Sequence, residues 1–217
     1  MSRIYLGSTL SGGQYYKHIM RPSKPIGLES ENFDVWIDAL TTGLDGSIYV
    51  GDNSPTVKKL NPDTLQIEAQ TGSYGFDGTI ESLTIGLDGS IYVGDDSQSV
   101  KKLNPDTLQK EAEGGYYGGT VYALTTGLDG YIYAGGHFMN TVNKLNPDTL
   151  EVEAISENYG GTIQALVTGV DGSIYVGGHN AQTVKKLNPD TLQIEAESED
   201  YGGPIYALTT GLDGSIY

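Results

Sequence analysis

His137 and His179 stand in two look-alike stretches, GGHFMNT and GGHNAQT, and related stretches carry Asn53 (GDNSPT) or Asp96 (GDDSQS) at the same place. Imidazole, amide and carboxylate are all metal-ligand types, so a metal centre is the first chemistry to weigh. Two ligands of one zinc lie within about 4 Å of each other, whereas equivalent points on adjacent packed sheets stand about 10 Å apart. On that geometry His137 and His179 do not share an ion, and the competing reading is two solvated loop histidines. No metal and no other cofactor is expected. A repeated Asp (Asp45, Asp88, Asp129, Asp171, Asp213) invites a calcium reading. Each of these sits in an Asp-Gly hairpin signal that already explains it, and none shows the dense acidic spacing of a calcium loop.

Catalysis has few candidate groups. The 217 residues include no cysteine, and His18, His137 and His179 are the neutral-pH bases. No Ser-His-Asp or zinc motif is present. The expectation is a chain that is not an enzyme.

Two further sets of residues are better suited to binding. One is an aromatic ahead of each first strand, Phe33, Tyr74, Tyr117, Tyr159 and Tyr201, followed by a Gly pair in the last three. Each ring either packs on the next unit as a plug or forms a sugar or peptide pocket, since Tyr offers an apolar face and a polar tip. The other set is Asp38, Glu81, Tyr122, Gln164 and Tyr206, beside the small residues Ala39, Ser82, Ala123, Ala165 and Ala207. Acid, amide and phenol together suit a ligand at a channel mouth; drift at a wet position is the competing reading.

What must position these residues is a repeat. GLDGSIYVGD occurs at 43–52 and 86–95, with copies starting at Gly127, Gly169 and Gly211; the spacings are 43, 41, 42 and 42 residues. The unit from Thr162 to Gly203 reads as four strands: A (Ile163–Gly169), B (Ser173–Gly177), C (Thr183–Leu187) and D (Leu192–Glu197). Asp171-Gly172 is a hairpin signal between A and B. Asn188-Pro189-Asp190-Thr191 puts Pro where its fixed φ favours a turn. Strand D alternates Leu192, Ile194, Ala196 with Gln193, Glu195, Glu197, as an edge strand does. Strand B is apolar on both faces, as suits a strand between stacked sheets.

Four-stranded antiparallel units of this length are the blades of a β-propeller. The phrase DGSIYVGDNSPTVKKLNPDT (45–64) resembles the NHL-type repeat and is similar to PQQ-like and YVTN-type propeller repeats. The Trp-Asp and Gly-His signatures of the WD repeat are missing. The resemblance implies a propeller and says little about function.

The expected fold is all-β: one domain, residues 1–217, forming a five-bladed propeller. Its blades are 37–79, 80–120, 121–162, 163–203 and a closing blade of 1–36 plus 204–217. Pairing of the N- and C-terminal strands closes the ring. Strand B has one copy too many, and Arg3–Gly7, longer than Ser215–Tyr217, is expected to fill the closing slot. A piece of a longer array is the competing reading of the truncated copy.

The A–B and C–D turns hardly vary, while the B–C and D–A connections vary greatly. In an antiparallel blade these pairs lie at opposite ends, so one face is uniform and the other varied. Varied loops on a rigid scaffold are the expected recognition surface. The expected function is a non-catalytic binding or interaction scaffold for an unidentified protein, peptide or glycan. The alternatives are a multivalent lectin with one weak site per blade and a lyase-like enzyme using Asp38 and Glu81 at the channel mouth. A net charge of −16 with 12 Lys+Arg argues against a general nucleic-acid binder or an anionic-membrane binder. No apolar run approaches a membrane span, and MSRIYLGSTL has no long apolar core of a signal peptide. A monomer is expected, with a strand-sharing oligomer as the alternative.

Overall fold

The computed structural model describes residues 36–72 and 78–217. Among these the chain forms four antiparallel four-stranded sheets and no helix. Sheet 1 comprises β1 (Ile37–Thr42), β2 (Ile48–Asp52), β3 (Val57–Leu60) and β4 (Ile67–Gln70). Sheet 2 comprises β5 (Ile80–Ile85), β6 (Ile91–Asp95), β7 (Val100–Leu103) and β8 (Lys110–Glu113). Sheet 3 comprises β9 (Ala123–Thr126), β10 (Ile132–Gly135), β11 (Asn143–Leu145) and β12 (Val152–Ile155). Sheet 4 comprises β13 (Ile163–Thr168), β14 (Ile174–Gly178), β15 (Lys185–Leu187) and β16 (Ile194–Glu197). Each is a meander with its strands in chain order, so the A-B-C-D order expected from the repeat holds. Among the described residues no helix is long and apolar enough to cross a membrane.

The turns differ in detail from the expectation. Gly46 N–H donates to Gly43 O (3.0 Å), which puts Leu44 and Asp45, not Asp-Gly, at the turn centre. Only Gly46 takes a left-handed φ, 83°. This is the three-residue hairpin loop that ends on a left-handed Gly. Asp45 holds it by accepting from Ser47 N–H (3.0 Å) and Ser47 Oγ (2.9 Å). In the C–D turn, Asn61 Oδ1 accepts the N–H groups of Asp63 and Thr64, and Leu65 follows at φ 56°. A left-handed Leu is unfavourable by about 1–2 kcal/mol. It nevertheless recurs at Leu108, Leu150 and Leu192. All three are buried, each in a cluster with the preceding sheet. That left-handed residue is also why β16 starts at Ile194 and not at Leu192.

The core lies between sheets. Tyr49 and Val57 of sheet 1 cluster with Ile91, Leu103 and Leu108 of sheet 2. The same positions repeat between sheets 2 and 3 and between sheets 3 and 4. The second-strand Tyr of sheets 1 to 3 also reaches across: Tyr49, Tyr92 and Tyr133 donate to the carbonyls of Pro105, Pro147 and Pro189, at 3.1, 2.8 and 3.0 Å. The LNPDT turn is therefore an intersheet clamp as well as punctuation. Gly51 permits the close approach, because a Cβ there would sit 2.3 Å from Ile80 Cγ2.

Among the described residues the complete sheets number four, not five, and no closed ring is seen. A fifth unit begins after Tyr201. Thr209 and Tyr217 exchange two backbone hydrogen bonds of 2.9 Å, and Thr210 bridges Ile216. The register repeats that of Thr125 with Tyr133. Ser215–Tyr217 thus stands in the second-strand place expected for Arg3–Gly7. The physical reason is locality: a short hairpin closes with far less entropy loss than a contact from the other terminus. Arg3–Gly7 and nearly all of the 1–36 part of the expected closing blade lie outside the described residues, as do Phe33 and Tyr74.

Candidate recognition site

The first strands bring one variable position from each unit to a common cavity of about 230 Å³. Asp38, Glu81, Tyr122, Gln164 and Tyr206 line it together with the neighbouring small residues and leucines. Ala39, Ser82, Ala123 and Ala165 are buried beside it, whereas Ala207 is exposed. Ser82 Oγ donates to Val121 O of the next unit (2.9 Å), so this small residue also ties adjacent units together.

The cavity has a polarity. Burial, then the charges of Asp38 and Asp96, push the Glu81 carboxyl above its ordinary value. Burial, then Glu81 and Asp96, push the Tyr122 phenol up as well. Beside this acidic sector lies an aromatic one. The His137 ring stacks on Tyr122 (5.7 Å, 11°) and on Phe138 (3.9 Å, 26°). Phe138 is 77% exposed at φ 62°, while the next residue, Met139, is buried. The sequence reading passed over Phe138. Its signal was an apolar Phe-Met pair in a loop whose counterparts, GDNSPT and GGHNAQT, are polar.

The four positions Asn53, Asp96, His137 and His179 are equivalent in backbone. Their N–H groups donate to Trp36, Thr79, Thr120 and Thr162 carbonyls. Their side chains diverge in use. Asn53 and Asp96 are exposed, His137 joins the stack, and exposed His179 has Nδ1 2.8 Å from Asn180 Oδ1. Among the described residues no group of three His, Asp or Glu is placed to hold a metal ion.

The aromatic set ahead of the first strands also diverges. Tyr117 is half-buried and donates to Leu150 O (2.7 Å). Tyr159 is buried and donates to Thr183 O, and burial pushes its phenol up to about 12. Tyr201 is exposed.

The opposite end of the sheets is uniform. Lys59, Lys102, Lys144 and Lys186 each pair with the hairpin Asp of their own sheet, at 2.9, 3.0, 2.8 and 2.8 Å. The Lys59 hydrogen bond holds Asp45 down at about 2. Against the desolvation that would lower it, Asp88 and Tyr92 hold the Lys102 ammonium above its ordinary value.

No protein-family profile matches the chain, and no curated protein matches it. The likeness to NHL, PQQ-like and YVTN-type repeats rests on the repeat phrase alone.

Proposed function

We propose that the chain is a five-bladed β-propeller that works as a non-catalytic binding scaffold, recognising a protein or peptide through its varied end. One observation carries this reading. Five equivalent first-strand positions meet at one cavity, and their side chains are an acid, an acid, a phenol, an amide and a phenol. The opposite end instead repeats one Asp–Lys pair in every complete sheet. Diversity at the common cavity beside uniformity elsewhere is what a recognition surface on a rigid frame looks like. The stacked Tyr122, His137 and Phe138 supply an apolar platform next to the acids, as a peptide with mixed side chains requires.

The test is selection from a displayed random-peptide library, followed by two groups of variants. Tyr122→Ala, His137→Ala and Glu81→Gln should abolish or weaken the selected binders more than tenfold. Asp63→Ala and Asp148→Ala, at the uniform end, should leave them unchanged. Binders that depend on the uniform end, or no enrichment at all, would sink the proposal. A parallel glycan array decides against it in favour of a lectin if sugars bind and peptides do not.

A further inference from the structure

The aromatic wall of the first-strand cavity holds a side chain that the fold does not explain. Phe138 takes a left-handed φ of 62° and stays 77% exposed. In sheet 4 the same place belongs to Asn180, at φ 78°. Asn tolerates that conformation, whereas a bulky side chain opposes it. The left-handed Leu108, Leu150 and Leu192 are stabilised by burial; Phe138 is not. Its ring instead stacks on His137, which stacks on Tyr122 at the cavity wall. The acids beside this exposed aromatic face lack a cation. Every lysine among the described residues pairs with an Asp or Glu, and none of those acids is Asp38, Glu81 or Asp96. No arginine falls among the described residues. The cavity, at about 230 Å³, is below the roughly 300–1,000 Å³ of pockets that enclose a whole small molecule. One side chain is the scale of what it takes.

Resting on the peptide-binding reading above, we infer that the recognised peptide is basic and that an arginine side chain enters this cavity. Its guanidinium lies on the Tyr122–His137–Phe138 face and turns its N–H groups towards Glu81 and Asp38. Arginine suits the site better than lysine, because a planar guanidinium both stacks on aromatic faces and forks onto a carboxylate. Cation–π attraction adds to the ion pair where water is partly excluded. Burial and the neighbouring acids oppose the charge on Glu81, and a bound cation would offset that opposition. Among the described residues no three His, Asp or Glu converge to hold a metal ion, so an organic cation fits the arrangement.

Two displayed peptide libraries test this on the full chain, one complete and one built without Arg and Lys. The complete library should enrich arginine-bearing binders, and the second should enrich none or only much weaker ones. Equal enrichment from both overturns the inference and leaves the peptide reading standing; enrichment from neither overturns both. In the tightest binder, one arginine replaced by citrulline, its neutral isostere, should weaken affinity by about tenfold or more. Glu81→Gln should remove most of that difference. Asp63→Asn deletes the same charge at the uniform end and should change nothing. Equal effects of Asp63→Asn and Glu81→Gln would mean attraction to overall acidity alone, which overturns the assignment to this cavity. Phe138→Asn installs the residue that sheet 4 carries at this conformation, so the thermal midpoint should hold or rise. Affinity for the arginine peptide should nevertheless fall by about fivefold. Undiminished affinity of Phe138→Asn would overturn the stacked placement of the guanidinium.

Discussion

In sheet 2 the second strand ends on Asp95, fully buried, with Oδ2 2.5 Å from Lys101 Nζ, itself 1% exposed. The ammonium also donates to the Ser97 and Ser99 hydroxyls at 2.7 and 3.0 Å, and the Glu113 carboxylate stands 3.5 Å away. Sheet 1 repeats the arrangement with Asp52 and Lys58. In sheets 3 and 4 the Asp is replaced by Gly136 and Gly178; the lysine gives way to Asn143 in sheet 3 and is kept as Lys185 in sheet 4. The B–C loop there is one residue longer: six residues separate Gly135 from Val142, but five separate Gly94 from Val100. One loop class is pinned from within by a desolvated ion pair. The other has no such pin, and it is the class that carries both loop histidines and the exposed Phe138. The difference teaches that variability at this end is organised: where the loop presents an aromatic surface, the internal charge pair is gone.

The largest way to break the comparison is to remove one charge. Asp95→Ala removes the fully buried carboxylate nearest the Lys101 ammonium, leaving the partly exposed Glu113 at 3.5 Å, and should destabilise the chain by about 3 kcal/mol, read by urea unfolding. Asp95→Asn with Lys101→Met removes both charges and should recover most of that loss. Lys185→Met in sheet 4 should be much milder. Its Nζ donates to Tyr159 O (3.0 Å), and its acid, Glu197, is half-exposed at 3.7 Å. Equal losses for Asp95→Ala and Lys185→Met would erase the distinction between the two loop classes.

Next is the reverse substitution, a side chain where the second class has none. A Cβ on Gly136 would lie 1.8 Å from Thr120 O, and on Gly178 2.0 Å from Thr162 O. Gly136→Ala should therefore lower stability by about 1–3 kcal/mol through overpacking against backbone. The equivalent place in sheet 2 already accommodates Asp95, so Asp95→Gly should relieve no clash. A Gly136→Ala variant as stable as the parent would mean that the loop shifts freely, and the tight-backbone account of sheets 3 and 4 would fail.

The period, the strand order and the five-membered set around the cavity were legible because they are local or follow from repeat alignment. The turn at Gly43–Ser47 was legible as a hairpin but not by type, since an Asp side chain that caps Ser47 looks in sequence like an Asp-Gly turn. Leu65, Leu108, Leu150 and Leu192 in the left-handed region were not legible at all. Propensity opposes them, and for the last three burial against a neighbouring sheet overrides it. The His137 stack was hidden for a similar reason. Tyr122 and His137 are fifteen positions apart, and their meeting depends on a loop folding over a first strand. The second Lys of a VKKL strand shows no partner in the sequence, because the Asp it meets lies fourteen or fifteen residues earlier, across the sheet.

A smaller effect sharpens the contrast between the two ends. Tyr133 OH has two acceptors for its one proton, Pro189 O (3.0 Å) and Asp129 Oδ2 (2.7 Å), inside the uniform end. Tyr133→Phe should lose about 1 kcal/mol, seen as a lowered urea midpoint, while the peptide binding proposed for the varied end should stay unchanged.

The smallest expected effect has opposite signs at the two ends, which makes it the most discriminating. Asp45 is held at about 2, below its ordinary 3.8. Its contribution is complete above about pH 4 and drains away as pH falls through about 2. Glu81 is displaced the other way, above its ordinary 4.5, by burial and by Asp38 and Asp96. The folded state therefore prefers Glu81 protonated. At pH 7 the ionised carboxylate carries the full penalty, and stability is regained as pH falls through the raised value towards the ordinary one. Glu81→Gln should consequently stabilise the chain at pH 7, by less than about 1 kcal/mol because the site is partly solvated, and the gain should vanish near about pH 4. Asp45→Asn should do the reverse, destabilising at pH 7 and becoming neutral below about pH 2. Unfolding curves of both variants across this range test the pair together. A loss of stability for Glu81→Gln at pH 7 would mean that its carboxylate is held by an attraction and not crowded by like charges, and the varied end would then resemble the uniform one.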